Sequence, residues 1–184
     1  MGSKEYGDEA AIYEIANAEP GNHNEEDSML IVERCIIEGK LYMAIPEGFA
    51  LMPPEIAELK YPSENRPDIT YSDEEGTTTV NFTLTKDKLA NDGIEAAMEY
   101  LQRVVAKMHP SSETISSGVI EGELRIGHFD FISPAIDGGI YNLVFVFPLD
   151  GQFMLGTFNC MHLDMAAWLA PASQMVSSIR IAKG

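Results

Sequence analysis

The stretch from Ile120 to Ile181 constrains the fold more than any other part of this chain. It runs GELRIGHFDFISPA, then GGIYNLVFVFPLDGQFMLGTFNC, then MHLDMAAWLAPASQMVSSIRI. That order reads as three strands and a helix with no break between them. Asp150-Gly151 sits between two strongly apolar strands, and this dipeptide suits a tight hairpin because both turn positions need positive φ. The expectation is an antiparallel meander closed by an amphipathic helix. Within Ile140 to Leu149, the side chains of Tyr141, Leu143, Phe145, Phe147 and Leu149 face one way, and Val144 and Val146 face the other. A strand apolar on both sides is covered on both sides. Helices are therefore expected on both faces of the sheet.

The preceding chain fits the same class. Met29 to Ile37 and Leu41 to Ala44 read as strands joined by Glu38-Gly39-Lys40, and the chain leaves the strand over Ile45 to Phe49. Pro53-Pro54 opens a short helix over EIAEL, since proline fits a first helical turn. Ile69 to Ser72 and Thr77 to Thr85 read as a hairpin around Asp73-Glu74-Glu75-Gly76. There Val80, Phe82 and Leu84 alternate with Thr79, Asn81, Thr83 and Thr85, so one face is buried and one polar. Ile94, Met98, Leu101, Val105 and Met108 form one helical stripe, with Asp92 as its expected cap and His109-Pro110 as its end. Thr114 to Glu121 and Leu124 to Ser133 are the next strands. A last helix places Met165, Trp168, Leu169, Ala172, Met175 and Val176 on one stripe, and Pro171 predicts a kink or break in it. The order β-β-α-β-β-α-β-β-β-β-α predicts an α+β protein, an antiparallel β-sheet with helices packed on both faces, in other words an αβα sandwich. An open edge near Ile69–Ser72 leaves both a monomer and a weak dimer in view.

Charge narrows the partners. The 184 residues carry a formal charge of −17. Residues 1–28 alone hold eight carboxylates against Lys4. They read as a flexible acidic arm ahead of a single domain over residues 29–184. Within the arm, AAIYEIANA is expected to form a helical turn or two, with Ile12, Tyr13 and Ile15 as docking residues. A field of this sign repels nucleic-acid phosphates and anionic lipid, so neither is an expected partner. It favours a basic protein partner, although solubility is the plainer reading. No stretch approaches the roughly 18 apolar residues of a membrane span. No apolar leader segment is visible, which points to the cytoplasm. Met1-Gly2-Ser3 also reads as a cloning scar, and on that reading the missing leader carries no weight. Cys35 and Cys160 are expected as buried free thiols. The four histidines are scattered and no CxxC occurs, so no metal site and no cofactor are expected.

The opening strand pair with EGK at its turn, the phrase IPEGFALMPPEI, the polar hairpin, the long helix and the closing block from GHFDFISPAIDGG to MVSSI together resemble the Mog1/PsbP-like fold. The resemblance covers residues 29–182 and is nearest to a bacterial branch of that family. It implies a largely non-enzymatic group. Its members include a Ran-GTPase-binding nuclear factor, an extrinsic photosystem II subunit, bacterial lipoproteins and adaptor chaperones for secreted effectors. No set of functional residues transfers position by position, and fold alone is a weak warrant for function.

Few residues look chemical. His128 and Asp130 lie two apart in a strand and so share a face, an arrangement in which a carboxylate orients an imidazole for general-base work. A solvated rim pair is the plainer reading, and it falls where the apolar face of Leu124 and Ile126 ends. Cys160 and His162 suggest a Cys–His nucleophile, but Asn159 as a helix cap and Cys160 as a core residue account for them. Asp68, Asp73, Glu74 and Glu75 read as turn carboxylates without the ligand spacing of a calcium loop. The loop Tyr61 to Pro67 is stiffened by two prolines, and Tyr61 and Arg66 are types enriched at interface hot spots. The first expectation is a non-catalytic protein-interaction or adaptor module using Tyr61, Asn65 and Arg66 together with a rim of His128, Asp130 and Tyr141. The alternatives are a small hydrolase built on His128/Asp130 or Cys160/His162, and a small-ligand carrier with a cavity between sheet and helix.

Overall fold

A computed structural model describes residues 12–14, by their backbone, and residues 29–183. The strands are β1 (Ile12–Glu14), β2 (Leu30–Ile37), β3 (Leu41–Pro46), β4 (Ala50–Leu51), β5 (Ile69–Ser72), β6 (Thr79–Lys88), β7 (Thr114–Ile120), β8 (Ile126–Ala135), β9 (Gly138–Leu149), β10 (Gln152–Met161) and β11 (Arg180–Ile181). The helices are α1 (Pro54–Lys60), α2 (Ile94–Met108) and α3 (Met165–Ser177). The strands make two antiparallel sheets, a larger one ordered β4-β5-β6-β10-β9-β8-β7 and a smaller one ordered β1-β2-β3-β11. The opening strand pair therefore does not join the main sheet, a separation that periodicity alone cannot reveal.

The centre of the larger sheet follows from its alternation. Phe145, Phe147, Leu149, Phe82 and Phe158 pack with Leu41, Met43 and Ile45 of the smaller sheet and with Ala172, Met175 and Val176 of α3. On the opposite face Val146 packs with Ile94 and Met98, and Val144 with Phe129, Phe131, Leu101 and Val105, under α2. Helices cover both faces, as the two-sided apolarity of β9 requires. Asp150 and Gly151 both take positive φ, 51° and 76°, which matches the right-handed twist of the hairpin they close. Gly156 is needed for a different reason: it lies opposite Phe145, and a Cβ there would run into the ring.

Several expectations are corrected. α3 runs through Pro171 without a break. Proline removes one backbone donor, but burial of Pro171, Ala172, Met175 and Val176 holds the helix together. Asp92 does not cap α2; a 3₁₀ turn over Asn91–Gly93 leads in, with no side-chain cap. Asn91 instead donates its side-chain amide to the Glu123 carbonyl, and its Oδ1 accepts from the Arg125 amide. Asn159 lies inside β10 and caps nothing. Cys35 is exposed, whereas Cys160 is buried, and both are free thiols. On the side of β5 the edge of the larger sheet is β4, which covers β5, and the other edge is β7. Ile12–Glu14 is a strand antiparallel to β2, not a helical turn; the rest of the acidic arm, Ile15 included, lies outside the described residues. No helix among the described residues is long and apolar enough to cross a membrane.

Candidate functional site

The face of the larger sheet beneath α3 brings three of the expected residues together. Register sets Ser116 opposite Asp130 and Gly118 opposite His128 across β7 and β8. β9 adds Tyr141 and Leu143 on the same face. With Ile120 below and Leu169, Ser173 and Val176 of α3 above, they enclose a cleft of about 160 Å³. The imidazole of His128 occupies the space that the missing side chain of Gly118 leaves open.

Asp130, only 5% exposed, is fully engaged. Its Oδ1 accepts from the Ser116 amide at 2.7 Å and from Ser116 Oγ at 2.7 Å. Its Oδ2 accepts from the Tyr141 hydroxyl at 2.8 Å. These bonds tie β7, β8 and β9 side by side. Burial, aided by the bond to Asp130 and that carboxylate's charge, pushes the Tyr141 phenol far up, so it stays a donor. Burial pulls His128 down, against the opposing pull of Asp130, so the imidazole is neutral near pH 7. Asp130 thus acts on His128 through charge, while its hydrogen bonds go to Ser116 and Tyr141. A general-base pair needs the orienting bond that is used elsewhere here.

The second pair also separates. Cys160 faces the core, and burial together with the charge of Asp164 pushes its thiol up to about 12. His162 begins the exposed 3₁₀ turn beyond β10. A protonated thiol enclosed in the core is a poor nucleophile.

Tyr61 lies on the other side of the larger sheet from the His128 cleft. Tyr61 ends α1 and donates its hydroxyl to Asn81 Oδ1 at 3.3 Å, on the α2 side. Arg66 pairs with Glu58 at 3.3 Å, which folds the loop back on α1, and Asn65 stands exposed. The sheet thus separates Tyr61 from the rim of His128, Asp130 and Tyr141 with which it was expected to form one surface. α1 itself buries none of its residues. Ile56 is 49% and Leu59 81% exposed, and Leu51 on the neighbouring edge strand is 59% exposed.

Sequence reasoning missed a row of polar side chains beneath Tyr61. Asn81 Nδ2 donates to Thr79, Thr157 and Asn159, and its Oδ1 accepts from Thr70 at 2.8 Å. Asn159 Nδ2 donates to Asn142 Oδ1 at 2.7 Å, and Asn142 Nδ2 to Ser133 Oγ at 3.0 Å. The row crosses β5, β6, β10, β9 and β8. The available signal was Asn142 and Asn159, two amides at matching depth in strands otherwise rich in apolar residues. Beside the row, Lys60, Tyr61, Thr77, Asn142 and Asn159 border a depression of about 430 Å³. Among the described residues no group of three or more His, Cys, Asp or Glu is placed to hold a metal ion.

No family model matches the chain, and no curated protein matches it in sequence. Solved structures do match. The cyanobacterial PsbP of a Synechocystis species superposes with a TM-score of 0.61 at 10% identity, over 88% of this chain and 98% of that one. LpqN of Mycobacterium tuberculosis, described as involved in cell envelope biogenesis, matches with a TM-score of 0.49 at 12% identity, over 95% of this chain and 92% of that one. The cyanobacterial match shows the fold: this chain has the Mog1/PsbP-like architecture that its element order resembles.

Proposed function

On this Mog1/PsbP-like scaffold, we propose, the chain works as a non-catalytic protein-binding module that docks its partner through α1 and the Tyr61–Arg66 loop. The observation that carries the reading is that α1 buries no residue yet presents Ile56 and Leu59 beside the exposed Leu51. Contiguous exposed apolar side chains rimmed by polar ones mark interaction surfaces. Tyr61, Asn65 and Arg66 continue that surface, and the Arg66–Glu58 pair biases the loop toward α1 in advance of binding. Such preorganisation lowers the ordering cost of association. The engaged carboxylate of Asp130 and the enclosed thiol of Cys160 support a non-catalytic role. We assign His128, Asp130 and Tyr141 to holding β7, β8 and β9 in register. Their cleft, about 160 Å³, is smaller than the roughly 300–1,000 Å³ of ordinary ligand pockets, which weighs against a small-ligand site between the sheet and α3.

The test is affinity purification from host cells with the chain itself, with Leu59→Asp, with Arg66→Ala and with Leu163→Asp. Leu163 is as exposed as Leu59 but belongs to the turn beyond β10 and not to α1 or its loop. Partners retained by the chain and by Leu163→Asp but lost with Leu59→Asp and weakened with Arg66→Ala would support the reading. Identical captures from all four, or no reproducible capture, would overturn it.

A further inference from the structure

The groove beside α1 has a chemistry of its own, and we propose that it takes an extended basic–aliphatic segment of a partner protein. This rests on the reading of the chain as a protein-binding module and adds what the partner presents. The groove measures about 520 Å³. Its floor is Leu51 of the edge strand β4 and Met52 just after it, one wall is Pro53 and Ile56, and the other is the β5–β6 turn with Asp73, Glu74 and Glu75. Lys60 at the end of α1 donates to the Gly76 carbonyl and closes one end. That bond ties the end of α1 to the β5–β6 turn across the groove.

The two walls differ in kind. Asp73 is occupied in shaping the turn: it accepts from the Thr77 amide at 2.8 Å, from Thr77 Oγ1 at 2.8 Å and from the Thr78 amide at 3.1 Å. Glu74 and Glu75 are exposed and make no ion pair among the described residues. An aliphatic side chain on Leu51, Met52 and Ile56 would thus sit within reach of two free carboxylates. A Lys or Arg one or two residues along the same segment would meet them, its methylene stem lying on the apolar floor. Among the described residues no strand pairs with the outer side of β4, the last strand of the larger sheet, and its backbone groups suit an extended segment.

Charge selects among the possible occupants. A second copy of this chain brings another −17, and residues 1–28 bring eight carboxylates against one lysine. Both are repelled from a wall of Glu74 and Glu75. A basic partner is attracted by that wall and by the field of the whole molecule, which steers encounter as well as docking.

The experiment uses the full chain and three labelled synthetic peptides followed by fluorescence anisotropy. One alternates Lys and Leu, the second replaces each Leu by Ser, and the third replaces each Lys by Glu. They are titrated against the chain, Ile56→Asp, the double variant Glu74→Lys/Glu75→Lys, and the remote double variant Glu38→Lys/Glu113→Lys, which has the same net charge. The Lys–Leu peptide is expected to bind saturably, and to lose about tenfold or more in affinity with Ile56→Asp and with the groove double variant. The remote double variant is expected to change it less than about twofold at physiological ionic strength. Equal loss in both double variants, or equal binding of the Lys–Ser peptide, would reduce the effect to non-specific attraction and overturn the proposal. Concentration-dependent dimerisation of the chain that Ile56→Asp abolishes would assign the groove to a second copy and overturn it as well. If the proposal fails while host partners are still lost with Leu59→Asp, the binding-module reading stands and only the partner's chemistry is wrong.

Discussion

Asp130 is a buried carboxylate that carries three donors, and the stability of the β7–β8–β9 edge depends on it. Asp130→Ala leaves the Tyr141 hydroxyl and the Ser116 amide without their acceptor, and unmade bonds of this kind cost about 1–3 kcal/mol. Urea denaturation should show a loss near the upper end of that range, with the slope of the transition unchanged. His128 makes a pH prediction. Its pKa is lowered by burial, with Asp130 pulling the other way, below the ordinary value of about 6.5. Between the folded value and about 6.5, the unfolded chain binds a proton that the folded chain does not. Stability contributed at this position is therefore complete above that window and falls as pH drops through it. His128→Gln should lose less stability between about pH 7.5 and about pH 5.5 than the parent, measured by urea midpoints at each pH. The shared face of His128 and Asp130 was legible from their spacing of two. The role of Ser116 was not, because its alignment with Asp130 depends on a register irregularity between Thr114 and Ser116 that no local pattern announces.

At the scale of elements, the strands of the meander were legible because period-two alternation over β9 and β10 leaves one solution for each face. Their tightest point is Gly156. The strand crossing puts it directly opposite Phe145, whose ring fills the place of a side chain. Gly156→Ala should cost about 1–3 kcal/mol or more through overpacking, read as a lower urea midpoint. The phenylalanine cannot swing aside easily, since it is fully buried and also meets Phe82 edge to face at 6.0 Å between ring centroids. What could not be read was partnership between elements. Two strands and a turn near the N-terminal side look alike whether they extend the main sheet or found a second one, and only the packing of Met43 and Ile45 against Phe145 and α3 decides. Pro171 does not break α3 for a related reason: the local signal speaks of one missing donor, while the burial of its neighbours keeps the helix continuous. The short helix over Pro54–Lys60 was legible from Pro53-Pro54, but its lack of burial, the feature on which the proposed interface rests, belongs to tertiary structure.

At the scale of the molecule, among the described residues one apolar cluster joins both sheets to α3, two smaller clusters seat α2, and charge adds little. Lys40 in the β2–β3 turn reaches Asp150 in the β9–β10 turn at 2.6 Å, but both side chains are more than half exposed. Pairs of that kind contribute about 0–1 kcal/mol. Met43, wholly buried between the sheets, is different: removal of such a side chain costs about 2–5 kcal/mol. Lys40→Met should therefore leave the urea midpoint nearly unchanged, whereas Met43→Ala lowers it strongly. The same comparison settles how salt acts. The chain holds 29 acidic against 12 basic side chains, so most carboxylates have no cation to meet and repel one another in the compact state. Raising ionic strength from about 0.01 M to about 0.15 M shortens the screening length from roughly 30 Å to roughly 8 Å. That weakens the exposed ion pairs slightly and the long-range repulsion substantially. The melting temperature should rise with added sodium chloride over this range. A fall would mean that ion pairs such as Arg125 with Glu95 and Glu121 stabilise the fold more than the long-range repulsion destabilises it. The same salt that stabilises the chain should weaken its grip on a basic segment, so stability and binding are expected to move in opposite directions along one titration.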